Sequence, residues 1–153
     1  MEKNYLLRDF KVSDYKKLKD LWDLTGLGGR HRGDDLRTIE LSIALGGKLI
    51  VMEILPSMEL IGSSWMTFDG RRLHLHHFGI APKYQGQKLS VPLLRKSLLY
   101  AKNKNVQIKL EVHKENRKAI NLYLKNKFEY LGDYMVYIMR DVKGIDEFTE
   151  ENR

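Results

Sequence analysis

LHHFGIAPKYQGQKLSVPLLRKSLLY, residues 75 to 100, decides the fold. An apolar strand runs to Ile80, Pro82 breaks it, a polar turn containing Gly86 follows, and an apolar helical stripe then carries Val91, Leu94, Leu98 and Ala101. The order is strand, loop, helix. A helix N-terminus leaves backbone N–H groups without intrahelical partners and carries partial positive charge, so this junction suits a phosphate-bearing ligand. A glycine turn between strand and helix in any α/β protein is the plain competing reading.

Outward from this stretch the chain reads as a mixed α/β domain. Tyr5 to Phe10 predicts a first strand. Ser13-Asp14 predicts a cap for a helix that lines up Val12, Tyr15, Leu18, Leu21 and Trp22. Residues 25–33, TGLGGRHRG, predict a flexible loop, and Asp34-Asp35 a cap for a second helix that turns Leu36, Ile39 and Ile43 inward. Lys48 to Leu55 and Leu60 to Phe68 read as a hairpin, and Asp69-Gly70 turns the chain into Arg72 to Ile80. After the helix from Ser90 to Lys102, the strand Gln107 to Val112 closes a βαβ crossover, which makes it parallel to the strand ending at Ile80. A last helix begins at Asn116. Two short strands, Glu129 to Leu131 and Tyr134 to Arg140, are expected around Gly132-Asp133, and residues 144–153 read as a polar tail.

The bulk properties exclude several classes. With 153 residues, one domain is expected, and no apolar run approaches the roughly 18 residues of a membrane span. The opening MEKNYLLRDF lacks a cationic start and an apolar run, so a secretory signal is not expected, and the absence of cysteine agrees with a reducing cytoplasm. The net charge of +7 is spread beside acidic residues over nearly every segment, so a nucleic-acid face is not expected. Positive potential of this kind also draws in an anionic cofactor. His74, His76 and His77 crowd one strand, but without a nearby acidic partner in sequence a metal site is not expected. The Arg32-Gly33-Asp34 triplet is read as chance.

Ile80-Ala81-Pro82 with Tyr84-Gln85-Gly86-x-x-x-Ser90 resembles the acetyl-coenzyme A signature of the GCN5-related N-acetyltransferases, V-x-P-x-x-[R/Q]-G-x-G-x-[G/A]. Leu110-Glu111-Val112 with Asn116, Ala119, Tyr123 and Phe128 is similar to that family's second block, L-x-V-x-x-x-N-x-x-A-x-x-x-Y-x-x-x-G-F, as it stands in the ribosomal-protein alanine acetyltransferases. Two glycines of the pattern are lysines here, Lys88 and Lys127. Lys88 is compatible with ordinary helical torsions or with a cation placed beside a phosphate.

The resemblance implies a GNAT-like fold of about seven strands and four helices with a splayed central parallel pair. It implies one N-acetyltransferase domain over residues 1–143 and acetyl-CoA as cosubstrate. Phe78, Gly79 and Ile80 would line the pantetheine arm. The main-chain N–H groups of Gln85, Gly86, Gln87, Lys88, Leu89 and Ser90 would hold the diphosphate, and Asn116 would reach the cofactor arm unless it is simply a helix cap.

Acetyl transfer to an amine needs a base, an oxyanion donor and a proton for the thiolate. Glu111 is the implied base, with His76, His77 or water as alternatives and a plain strand glutamate as the competing reading. The N–H of Ile80 is the implied oxyanion donor. Tyr123 is the implied acid, against a reading as core aromatic. Without cysteine an acyl-thioester enzyme is excluded, so direct attack in a ternary complex is expected. The acceptor is expected to be a small amine or amino acid derivative. A protein N-terminus, or a non-catalytic CoA-binding module, are the alternatives, and oligomeric state is left open, a homodimer included.

Overall fold

The apolar alternation of the middle of the chain produces a five-stranded sheet, in order β1-β2-β3-β4-β5. Its strands are β1 (Tyr5–Asp9), β2 (Lys48–Ile54), β3 (Glu59–Phe68), β4 (Arg72–Ile80) and β5 (Gln107–Leu110). The structure, a computed structural model, describes residues 4–28 and 33–146. β1 to β4 are successively antiparallel, while β4 and β5 are parallel. The crossover between them is α3 (Ser90–Lys104), as the strand-helix-strand pattern requires.

Alternation sorts the two faces of the sheet. Ile50, Met52, Ile61, Met66, Leu73 and Leu75 point to the side covered by α3 and by Tyr123 of α4 (Arg117–Lys125). Leu49, Val51, Leu60 and Trp65 point the other way, beneath Leu18 and Trp22 of α1 (Tyr15–Thr25) and Ile39 of α2 (Leu36–Ala44). At one edge, Arg8 reaches two buried carboxylates, Asp14 at 2.7 Å and Glu53 through Nε at 2.9 Å. The guanidinium holds the Asp14 carboxyl below its usual range. Asp14 is therefore spent on Arg8 and on the Lys11 N–H, and its side chain makes no cap to α1.

Three further expectations need correction. The described residues hold five strands rather than about seven, because Glu129 to Leu131 and Tyr134 to Arg140 form none. Their sequence suits a strand, yet Tyr130 is 86% exposed and Tyr137 82%, so these side chains lack the packed surface that makes strand formers favourable. The last parallel strand ends at Leu110 rather than Val112. Ile43 of α2 is 37% exposed, since Ile39 alone of that helix is fully inserted. Of the glycine-rich loop, Arg30, His31 and Arg32 lie outside the described residues.

Candidate functional site

The parallel pair separates at a defined point. β5 pairs with β4 from Arg72↔Gln107 to Leu75↔Leu110 and stops, while β4 continues to Ile80. The gap beyond Leu75 is part of a cleft of about 1210 Å³. Every catalytic or cofactor-binding residue assigned from sequence lines that cleft except Gln87.

β4 is irregular where it borders the gap. Ser63 pairs with Gly79 and Trp65 with His76, so β4 carries one extra residue, and His77 takes φ 45°. This bulge is pinned from behind. Ser63 Oγ donates to His77 O at 2.7 Å and accepts from Trp22 Nε1 at 2.9 Å. Past the bulge, the N–H of Ala81 donates to Ile61 O at 2.7 Å. Because adjacent residues of a strand point their polar groups to opposite edges, the N–H and C=O of Ile80 face the gap. Gly79 leaves little room for a side chain: a Cβ there would stand 3.1 Å from Leu27 Cδ1, which would have to give way by a few tenths of an ångström.

The loop at the mouth of the gap bends twice into left-handed backbone, Gly86 at φ 77° and Lys88 at φ 60°. Lys88 therefore does not adopt helical torsions; it takes the conformation for which glycine is the natural residue. Lys127 does the same at φ 68° where it ends α4, with Phe128 N–H returning to Tyr123 O at 3.1 Å. Leu89, at the cap position of α3, offers no side-chain hydrogen bond, so the first N–H groups of that helix have no side-chain cap. Asn116 caps α4 through a bond accepted from Ala119 N–H at 3.2 Å.

Tyr123 stands on the other wall. It is 8% exposed, edge-on to Phe78 and Phe128, and burial pushes its phenol up to about 12. Among the described residues its hydroxyl has no hydrogen-bond partner and is not sealed from the cleft. The proton is thus held through the neutral range and presented to the gap.

Where α1 and α2 meet the sheet, the wall is aromatic and polar. His74 and His76 stack with centroids 4.0 Å apart, and His76 Nε2 lies 2.9 Å from Thr67 Oγ1. Burial, reinforced by the neighbouring His74 and His77, lowers His76 to about 4. Burial also lowers His74, against the opposing pull of Glu111. Both imidazoles are neutral at pH 7. Glu111 is half exposed just beyond the end of β5, its Oε1 3.8 Å from His74 Nε2. Among the described residues no group of three or more acidic or histidine side chains is placed to hold a metal ion.

Sequence reading missed the partner of Asp34. Asp35 alone caps α2, accepting from Thr38 N–H at 2.7 Å, while Asp34 Oδ2 meets His77 Nε2 at 2.7 Å, both side chains nearly buried. Two consecutive aspartates before a helix were the available signal, since only one can occupy the cap. His77 in turn packs on Trp22 and Trp65, with centroids 4.4 and 5.2 Å away. This unit ties the end of the glycine-rich loop to the β4 bulge.

Residues 26–128 match the model of the acetyltransferase (GNAT) family. Among solved structures, the chain is similar to an acetyltransferase from Streptococcus agalactiae at 20% identity and a TM-score of 0.72, over 89% of this chain and 92% of that one. It is similar to glucosamine-6-phosphate N-acetyltransferase from Arabidopsis thaliana at 17% identity and 0.69, over 89% and 99%. The ribosomal-protein alanine N-acetyltransferase from Escherichia coli follows at 16% and 0.68, over 82% and 77%. No curated protein matches the chain in sequence.

Proposed function

The chain belongs to the GNAT acetyltransferase family, and from that premise we propose that it transfers an acetyl group from acetyl-CoA to a primary amine by direct attack within a ternary complex. The observation that carries the reading is the early end of the parallel pair at Leu75 and Leu110, with Ile80 facing the space so opened. An extended thioester arm fits there as an added strand, meeting backbone groups that β5 leaves unpaired. At the mouth, the left-handed turns at Gly86 and Lys88 and the uncapped start of α3 suit a diphosphate.

In this assignment Phe78, Gly79 and Ile80 line the arm, and Gln85, Gly86, Gln87, Lys88, Leu89 and Ser90 hold the diphosphate. Asn116 keeps its cap while its amide N–H₂ faces the cofactor. The amine nitrogen attacks the thioester carbonyl carbon as a C–N bond forms, and the N–H of Ile80 meets the oxygen that gains charge. Before that attack Glu111, directly or through water, takes the ammonium proton of the incoming amine, and the proton left on nitrogen afterwards departs through water and replaces the one that Tyr123 gives to sulfur. As the C–S bond breaks, the Tyr123 hydroxyl donates toward the departing sulfur. A phenol near 12 gives its proton up fully to a thiolate with a reference value of about 8.5 only at an uphill cost of roughly 4 to 5 kcal/mol. Tyr123 therefore acts first as a hydrogen-bond donor, with complete transfer coming late in bond cleavage.

The acceptor is a small amine or amino acid derivative. Neutral His74 and His76 add no charge to its wall, and Asp34 and Glu111 favour a cationic group. Residues 1–143 form the one catalytic domain, in a cytoplasmic setting consistent with the lack of cysteine; among the described residues no helix is long and apolar enough to cross a membrane.

The test is release of free thiol from acetyl-CoA across a panel of amines, polyamines, amino acids and peptides. Turnover with a small amine is the expected result. Turnover confined to peptides would move the assignment to N-terminal acetylation, and tight CoA binding without turnover on any acceptor would overturn the enzyme reading.

A further inference from the structure

The carbonyl of Ile80 faces the gap, yet it is already engaged: Gln85 Nε2 donates to it at 2.9 Å in a partly buried setting. Gln85 lies just past the short turn Pro82–Tyr84, and its own main chain opens the loop that runs to Ser90. One side chain therefore bridges the loop and the strand. Resting on the reading that this loop receives the diphosphate of acetyl-CoA, we propose that Gln85 is a positioning residue for acetyl transfer, which sets the direction of the Ile80 N–H through the Ile80 carbonyl.

The physical route is short. The Ile80 carbonyl and the Ala81 N–H belong to one planar peptide, so the Gln85 bond at one end and the Ala81-to-Ile61 bond at the other fix that plane. The peptide before it, between Gly79 and Ile80, carries the N–H that meets the developing oxyanion. The carbonyl at the other end of that peptide, on Gly79, faces β3 opposite Ser63, and because Gly79 has no Cβ to narrow its torsions the clamped Ile80–Ala81 plane is the second hold on the aim of that N–H. A donor of this kind accelerates the reaction because it is already aimed, so a small loss of aim is felt in the rate.

A second consequence separates this role from simple bracing. Holding the loop holds Gln85, and holding Gln85 aims Ile80, so the diphosphate, far from the reacting carbon, contributes to kcat as well as to binding. Loss of the side chain should uncouple the two.

The experiment compares wild type with Gln85→Met, which keeps length without a donor, and Gln85→Arg, which restores one. kcat is measured with acetyl-CoA and with acetyl-pantetheine, which lacks the diphosphate; CoA affinity is measured by calorimetry and folding by thermal melting. In Gln85→Met, kcat with acetyl-CoA should fall about tenfold or more while the CoA Kd stays within about twofold, because the main-chain donors are intact. Gln85→Arg should recover most of the loss, and the kcat advantage of acetyl-CoA over acetyl-pantetheine should shrink in Gln85→Met. A wild-type kcat in Gln85→Met, or a loss confined to CoA affinity or to melting, overturns the proposal. A wild-type protein that neither binds nor turns over acetyl-CoA overturns instead the reading on which it rests.

Discussion

The ring of Tyr123 meets that of Phe78 edge-on, with centroids 6.1 Å apart at 60°. This contact joins α4 to the stretch of β4 that runs on past the end of β5 and holds the phenol against the gap. Because the ring supplies the packing and the hydroxyl has no hydrogen-bond partner among the described residues, Tyr123→Phe separates chemistry from stability. Its kcat should drop about 10²-fold with CoA affinity and melting nearly unchanged. A purely structural tyrosine would leave kcat unchanged as well. In wild type, burial keeps the phenol protonated, so Tyr123 should contribute no alkaline decline in kcat below about pH 11.

Glu111 sits beside His74 at the end of β5, with its side chain 51% exposed, in contact with both the cleft and water. Glu111→Gln keeps the shape and removes the proton acceptor. Its kcat/KM for the amine should fall by about 10² to 10⁴. A rate equal to wild type would transfer the base role to water, His76 or His77.

Lys88 and Lys127 both hold left-handed backbone, at φ 60° and 68°. An L-residue there costs about 1–2 kcal/mol, whereas glycine gives back roughly 0.5–1 through the freedom of the unfolded chain. Lys88→Gly and Lys127→Gly should each stabilise the protein by up to about 1 kcal/mol, raising Tm by about 2–4 °C. Alanine at either position keeps the strain and should give no such gain. Denaturant titration of the four variants decides it.

His76 is held neutral to about pH 4, below its ordinary 6.5, by burial and by its histidine neighbours. Between those two values the unfolded chain binds the proton and the folded chain does not, so stability is complete above about pH 6.5 and is lost as pH falls toward 4. The full interval corresponds to about 3 kcal/mol. In His76→Gln the slope of stability against pH over this window should flatten, as read from urea midpoints at several pH values. A slope unchanged from wild type would place the proton uptake elsewhere.

Much of this architecture was legible because it is written in local periodicity. Alternation in Leu73, Leu75 and their neighbours announced β4, the Asp69-Gly70 pair announced its turn, and the apolar stripe after Ser90 announced the crossover helix that forces a parallel neighbour. The segments 129–131 and 134–140 carried the same kind of signal without the same outcome. Strand propensity expresses packing on a partner surface, and these residues stand exposed. Asp34 was read as a helix cap because the only partner visible in the sequence was its own helix. Its actual partner, His77, lies 43 positions away.

The order of elements through α4, the place of the candidate phosphate loop, the parallel relation of β4 and β5, and the candidate roles of Tyr123 and Glu111 followed from the amino acids in line, since each depends on neighbours a few positions apart or on a motif of fixed spacing. Tertiary structure alone decided where the parallel pair stops, which histidines lose their charge, that Lys88 and Lys127 bend where glycine is usual, and that Gln85 reaches the Ile80 carbonyl. Burial, torsion and hydrogen-bond partner at those positions are set by chain brought in from elsewhere, and a one-dimensional pattern carries no record of that distance.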